Sequence, residues 1–600
     1  MKKQITQING RQFYQGLVSG INNLLEYKNK LDEINVYPVP DGDTGTNMCF
    51  TLLPVVEECK DQITDNIYDT MNVIADLALE SARGNSGTII AEFFHGFRKS
   101  TKGLEVINTS SFSKALMQGF KSSKESLLNP EEGTIITVMQ DVANKSVDLV
   151  NQENIDFEYF LDQCYHHSVE SLEKTKSVLK ILRKSDVVDA GALGFVLLIQ
   201  GWLNYFQRNT KIQSHHLNIS YEHEKIEALK KDIDFTIINK FCTECAIVGK
   251  DINRAELKEM IKNLGDSMVV AGTKTRVKIH IHTNTPAKLY KICNIYGKVV
   301  DRKVDDMTKQ EHTVHHVGSS SISIVVDSGA DIPEEYINEI QVVPVRYSFG
   351  NQQHIDRVTQ SSTEFYQQMK TDSNHPKTSQ PTPGDFKKIY NFISSHYDSI
   401  ISIHLSKKVS GTYQSGINAS KRIKVKNIQI IDSYTASVGL GLLAMYAVDL
   451  KQDGKSYNQI IKMVKQKRKQ TNVFLVLDDL NYIVKGGRFP NNLKIIANLL
   501  RLRPIVGPKN GVLKPRGVLW GKSNMTYKFS KFIESKINKK IKYRIMIAHA
   551  NSEKEGNKLS QLLLSSFPDN IIGSYVVEFG CALGAHSGPG ALAIGLQEIN

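Results

Sequence analysis

Apolar residues change their spacing twice along these 600 residues, and this limits the fold more than any single motif does. From residue 1 to about 210 they recur at helical intervals. Phe13, Leu17, Ile21, Leu24 and Leu25 form one stripe, Met71, Ile74, Leu77 and Ala78 a second, and Phe160, Tyr165, Val169 and Leu172 a third. Strand-like alternation is nearly absent there, which predicts an all-α bundle. From about 215 to 316, short strand candidates surround one helix candidate. The strands are Phe235–Ile238, Cys245–Val248, Ser267–Ala271 and Val277–His282, and the helix is Arg254–Leu264. This is α+β grammar. From about 321 to 600, β-branched runs alternate with helix-like stretches, at Ile322–Val326, Val342–Arg346, Ser399–Leu405, Asn427–Ile431, Val473–Leu477, Arg544–Ala548 and Ile572–Glu578. That pattern predicts α/β layers with partly parallel strands. The expectation is therefore a multidomain chain divided at 1–210, 215–316 and 321–600, with HTVHHVGSSS at 312–321 as a linker.

The formal charge is +13, from 75 basic and 62 acidic residues. The lysines are scattered, and no RRM, helix-turn-helix or zinc-finger pattern accompanies them, so solvated lysine is favoured over nucleic-acid binding. Seven cysteines, an odd and sparse set, argue against a disulfide framework and for a reducing compartment. MKKQITQING lacks an apolar signal-peptide core, and GFVLLIQGWL at 194–203 is too short to span a bilayer. The expected location is cytoplasmic.

In PVPDGDTGTN (38–47), Asp41 and Asp43 flank Gly42, giving two carboxylates on a hinge that tolerates unusual φ/ψ. Mg²⁺ is typically held by one or two carboxylates plus phosphate oxygens. A calcium loop of the EF-hand type fails, because Thr46 and Leu52 stand where Gly and Glu would be needed. A plain turn leading into a helix stays open on spacing alone. SARGNSGT (81–88) is a small-residue loop ahead of an apolar helix, able to offer backbone N–H groups to phosphate. It is not a Walker loop. EGTIITV (132–138) and VVDAGALG (187–194) repeat the theme. Four such loops in one helical domain suggest a nucleotide site at the end of a bundle.

These four motifs, in this order over about 200 residues, resemble the ATP-binding subunit of dihydroxyacetone kinase. The PVPDGDTGTN form is similar to the N-terminal domain of bacterial fatty acid kinase. The resemblance implies a ring of eight helices that binds ATP through Mg²⁺. It implies Asp41 and Asp43 as metal ligands, with Asn35 where dihydroxyacetone kinases carry a third acid. It further implies Thr44, Gly45, Thr46, Asn47, Asn85, Ser86, Gly87 and Thr134 around the phosphates, and Asp189 and Gly191 by the nucleoside.

In the middle segment, FCTEC (241–245) and KIHIHT (278–283) stand out. His280 and His282 share one strand face, so they can present two imidazoles to one metal, and Cys242 or Cys245 can add a thiolate for a zinc-like set. Read alone, the same pattern is also a half-buried strand with two exposed histidines. The segment resembles the fatty acid kinase middle domain, which implies Cys242, His280 and His282 as a metal or catalytic cluster. Cys245 departs from the apolar residue usual there.

The last segment carries SISIVVDSGADIP, KTSQPTPGDF, SKKVSGTYQSG, DSYTASVGLG, KGGRF and GAHSGPGALAIG, in that order. It is similar to the DegV family of lipid-binding proteins, in which a fatty acid lies between two α/β subdomains. An acyl carboxylate needs several donors and its tail an apolar slot. Thr378, Ser379, Ser410, Gly411, Thr412 and His586 are the candidate carboxylate cradle, and Arg488 a candidate for steadying an anionic head or phosphates. The combination implies an ATP- and Mg²⁺-dependent kinase that converts a fatty acid carboxylate to acyl phosphate, in the chemistry of phospholipid metabolism. Zn²⁺ is an additional candidate in the middle segment. Implied partners are a fatty acid, a separate DegV-type lipid carrier, an acyltransferase, transient membrane-surface contact and a homodimer, with no nucleic acid. Two other readings stay open: a lipid-binding or sensing module with a weak kinase half, and a polyol kinase of the dihydroxyacetone type.

Overall fold

The computed structural model describes residues 4–38, 42–151, 155–207, 237–308, 322–394, 397–423, 425–487, 502–521 and 523–599. Asp41, Arg488, the expected linker at 312–321 and the boundary near 210–215 lie outside them. The chain divides into two compact units, Met1–Glu311 and His312–Asn600.

The first unit opens with nine helices among the described residues: α1 (Gly10–Glu33), α2 (Thr44–Glu57), α3 (Ile67–Ser81), α4 (Gly84–Ser100), α5 (Thr109–Ser126), α6 (Ile135–Val150), α7 (Phe157–Val178), α8 (Lys180–Ser185) and α9 (Ala190–Gln207). Two short strands, β1 (Gln7–Ile8) and β2 (Ile107–Asn108), pair across the entrances to α1 and α5. The predicted stripes form one core, except for Leu25, which is exposed, and within it Phe13, Phe97, Phe112 and Trp202 pack ring against ring. α9 is buried along nearly its whole length, which explains its apolar sequence without a membrane. Among the described residues, no helix is long and apolar enough to cross one.

A four-stranded antiparallel sheet follows, in the order β4-β5-β3-β6, from β3 (Phe241–Val248), β4 (Gly265–Gly272), β5 (Arg276–Thr283) and β6 (Lys298–Asp306). The first strand begins at Phe241. The predicted strand at Phe235–Ile238 is not formed at residues 237 and 238, and its first two residues lie outside the described set. One sheet face carries Cys245, Ile247, Val277, Ile279 and Ile281 against the helices Arg254–Ile261 and Pro286–Tyr296. The other face is polar at one end and faces α4.

The second unit has two layered subdomains. In the first, the strands Asn427–Asp432, Ser399–His404, Ile322–Asp327 and Ile340–Val343 form an all-parallel sheet covered on both faces. The second is a mixed six-stranded sheet ending in the hairpin Leu502–Lys509 and Val512–Trp520. The helix Val438–Gln452 serves both, with Leu440 and Ala444 on one core and Val438 and Leu442 on the other. The predicted strand Val342–Arg346 is two strands in different sheets. Pro344 separates them, because it lacks the N–H a continuous ladder needs.

Candidate functional sites

Four helix N-termini meet at one end of the bundle. Those of α2 and α4 pack so closely that a Cβ on Gly84 would lie 2.3 Å from Asn47 Nδ2, and one on Gly87 would lie 2.2 Å from Thr51 Oγ1. Gly84 has φ +59°, a conformation that favours glycine. Gly194 of α9 fits against Met48 of α2, and Gly191 lies beside Ile135 at the start of α6. Aligned helix dipoles make such a convergence suited to phosphate.

Those of the predicted residues that are described occupy this end. Thr44, Gly45, Thr46 and Asn47 form the first turn of α2, and Asn85, Ser86 and Gly87 belong to the first turn of α4. Asn35 is buried in the loop before α2. Gly42 takes φ +64°, as its hinge role requires. Asp43, half-buried, stands at the N-cap of α2 without making the side-chain cap bond itself. Asp32 supplies the cap instead, accepting from Thr46 N at 2.8 Å and Thr46 Oγ1 at 2.6 Å. Thr46 is thus engaged by a carboxylate that no sequence motif singled out. Thr134 begins α6 and donates to the Glu131 carbonyl.

Asp189 is buried and accepts from Ala192 N at 2.7 Å. Burial pushes its carboxyl up to about 6, against the amide bonds that pull it down. Between about pH 4 and 6 the folded chain therefore holds a proton that the unfolded chain, with an ordinary carboxyl near 4, has released. Stability falls as pH rises through that window and levels above it, by about 3 kcal/mol in all. Asp189→Asn should keep the cap and remove the penalty. Its gain in melting temperature over the natural chain should be largest above pH 6 and shrink toward pH 4.

The polar end of the middle sheet lies against the same helix ends. Cross-strand register builds two rows: Asp266, His282, Cys242 and Asp305, then Val269, His280, Glu244 and Lys303. His280 and His282 are both buried, not exposed as the plain-strand reading held. Cys242 Sγ is 3.9 Å from His280 Nδ1, and the two histidine Nε2 atoms are 3.4 Å apart. The three side chains offer ligand atoms within 4.8 Å of one another. Cys245 points to the apolar face and takes no part.

Each imidazole also has a carboxylate by its Nδ1, Glu244 for His280 and Asp266 for His282, both at 3.4 Å. This is the outer arrangement that directs Nε2 lone pairs at a metal. Burial lowers His280, which keeps it neutral at pH 7, and raises the Cys242 thiol well above its ordinary value, so that a cation is needed to make it a thiolate. One thiol and two imidazoles are the kind of donor set that would hold zinc. Cys242→Ser is expected to lower bound metal from about one ion per chain to under about a tenth, read by plasma mass spectrometry.

In the second unit, the loops after three parallel strands line a cavity of about 460 Å³ through Gly329, Leu405, Ser406, Val409, Ser410, Gly411 and Thr435–Ser437. This is the crevice beyond the carboxyl ends of strands where α/β sheets usually bind ligands. Val473, Leu475, Leu513, Phe579 and Leu583 complete an apolar wall. At its polar part, His586 Nε2 is 2.9 Å from Thr378 Oγ1, and Ser379, Ser410 and Gly411 also line it. Thr412 does not. It is fully buried and braces Ser410 at 2.9 Å. Buried Asp356 ties the walls together, accepting from Ser328 Oγ at 2.7 Å and from Ala582 N, four residues before His586, at 3.0 Å.

Comparison with known proteins agrees with this layout. Residues 38–204 match the DAK2 domain, 239–314 the FakA-like middle domain of fatty acid kinase, and 321–598 the DegV family. The chain thus carries all three domains and has a fatty-acid-kinase-type domain composition joined to a DegV unit. An uncharacterized protein of Staphylococcus saprophyticus is 30% identical over 331 residues, 53% of this chain and 59% of that protein. One from Staphylococcus aureus strain USA300 is 31% identical over 321 residues, 52% and 58% of the two chains. The chain spans just under three fifths of the curated relatives it matches. Among solved structures, the chain is similar to DegV, a fatty acid binding protein from Bacillus subtilis (28% identical, 47% of this chain, 100% of that one, TM-score 0.43). It is also similar to the Streptococcus pneumoniae fatty acid kinase B3 protein loaded with linoleic acid (22%, 46%, 99%, TM-score 0.41).

Proposed function

We propose that this chain is a fatty acid kinase with its own acyl carrier. ATP and Mg²⁺ bind at the convergent helix ends of the first unit, with Asp41 and Asp43 as metal ligands. The γ-phosphoryl group goes to the carboxylate of a fatty acid held in the second unit's cavity, near Thr378, Ser379, Ser410 and His586. The carboxylate is already an anion, so the reaction needs no strong base. Positioning and neutralisation of phosphate charge supply most of the catalysis. Mg²⁺ would neutralise charge on the transferring group, and Zn²⁺ would suit Cys242, His280 and His282.

One observation carries the reading: a phosphate-suited helix end and an acyl-sized apolar cavity with a hydroxyl–imidazole corner occur in one chain. A polyol kinase has no use for that cavity. Native mass spectrometry of the purified chain tests the carrier half. A bound long-chain fatty acid supports it, and a chain that neither holds nor takes up oleate contradicts it.

A further inference from the structure

Glu244 belongs to the middle sheet, yet its carboxylate does the work of a cap on α4. The residue before that helix, Arg83, makes no side-chain cap. The Gly84 N–H, first in the helix, donates instead to Glu244 Oε1 at 3.0 Å. The same oxygen lies 3.4 Å from His280 Nδ1 and 2.9 Å from Lys303 Nζ. Glu244 is 2% exposed, so water does not compete for these bonds. A second tie lies along the helix, where Glu92 accepts from the Gly272 amide at 2.8 Å and from Arg254 at 2.9 Å. α4 is thus held to the sheet at its first residue and again two turns later. The gap at Gly84 has no slack, since its Cα hydrogen side faces Asn47 of α2.

We infer that Glu244 is a positioning residue that sets the α4 first turn against the Cys242–His280–His282 cluster, so that one carboxylate orients both the phosphate loop and a cluster histidine. This rests on the reading of that loop as a nucleotide cradle. Reach matters more than charge in this assignment. Glutamine keeps an acceptor at the same distance, while aspartate keeps the charge but withdraws it by one methylene.

The test compares Glu244→Asp with Glu244→Gln in the full chain, by amide hydrogen exchange at Gly84–Gly87 and by titration with Mg·AMP-PNP. Glu244→Asp should exchange at least about tenfold faster there and bind the nucleotide about tenfold more weakly, the scale of one buried amide left without its acceptor. Glu244→Gln should stay within about threefold of the natural chain in both. Unchanged exchange in Glu244→Asp, or equal damage from both substitutions, would overturn the assignment. Failure of the natural chain to bind Mg·AMP-PNP would remove the nucleotide reading instead, and the exchange comparison would still decide the Gly84–Glu244 bond.

Discussion

Asp43→Asn is expected to lower acyl phosphate formation by roughly 10²–10³-fold or more while leaving the fold intact. Two duties that one aspartate could have combined fall to two residues here. Asp43 occupies the N-cap of α2, where an acid ordinarily satisfies the helix amides. Asp32 meets that need instead, through Thr46 N and Oγ1. The cap of α2 thus rests on Asp32 rather than on Asp43. Its substitution should cost under about 1 kcal/mol of stability, near the low end for a lost cap. Circular dichroism and melting temperature check the fold, and turnover checks the chemistry. A variant that melts like the natural chain and turns over like it would remove Asp43 from the metal site.

Val409→Trp should weaken fatty acid binding by roughly a hundredfold. Val409 is half-buried on the loop between Leu405 and Gly411 and lines the 460 Å³ cavity. An indole there takes space an acyl chain would fill. Burying a methylene is worth about 0.8 kcal/mol, so excluding four costs about 3 kcal/mol. The loop itself is anchored away from the substitution, through Ser406 Oγ to the Gly511 carbonyl at 2.8 Å. Titration with a fluorescent fatty acid reads the loss. Undiminished binding would mean that lipid lies elsewhere.

Much of this was legible because it rests on local chemistry. The four loops announce themselves through small residues, glycine and acids, and the helical stripes through their period. His280 and His282 share a face by strand geometry alone. Glu244 and Asp32 were not singled out, because an acid on a strand or in a last helical turn is usually solvated, and their partners are 160 and 14 residues away. The period of two that joined His280 to His282 also joins Cys242 to Glu244, and was the available signal. Strand β6, KVVDRKVDD, is not among the strand candidates, and its charges break a clean apolar alternation. They pair across the sheet, Lys303 with Glu244. The hairpin ending at Trp520 was missed although Asn510–Gly511 is a strong two-residue turn signal, with both residues at positive φ.

The most direct test of the central claim is to incubate the purified full chain with oleate, Mg·ATP and hydroxylamine, and to measure oleoyl hydroxamate by mass spectrometry. A self-contained kinase predicts hydroxamate that requires ATP and that Asp43→Asn and Val409→Trp each suppress. Lipid bound in the cavity and ATP bound by the first unit, with no hydroxamate formed, would contradict it.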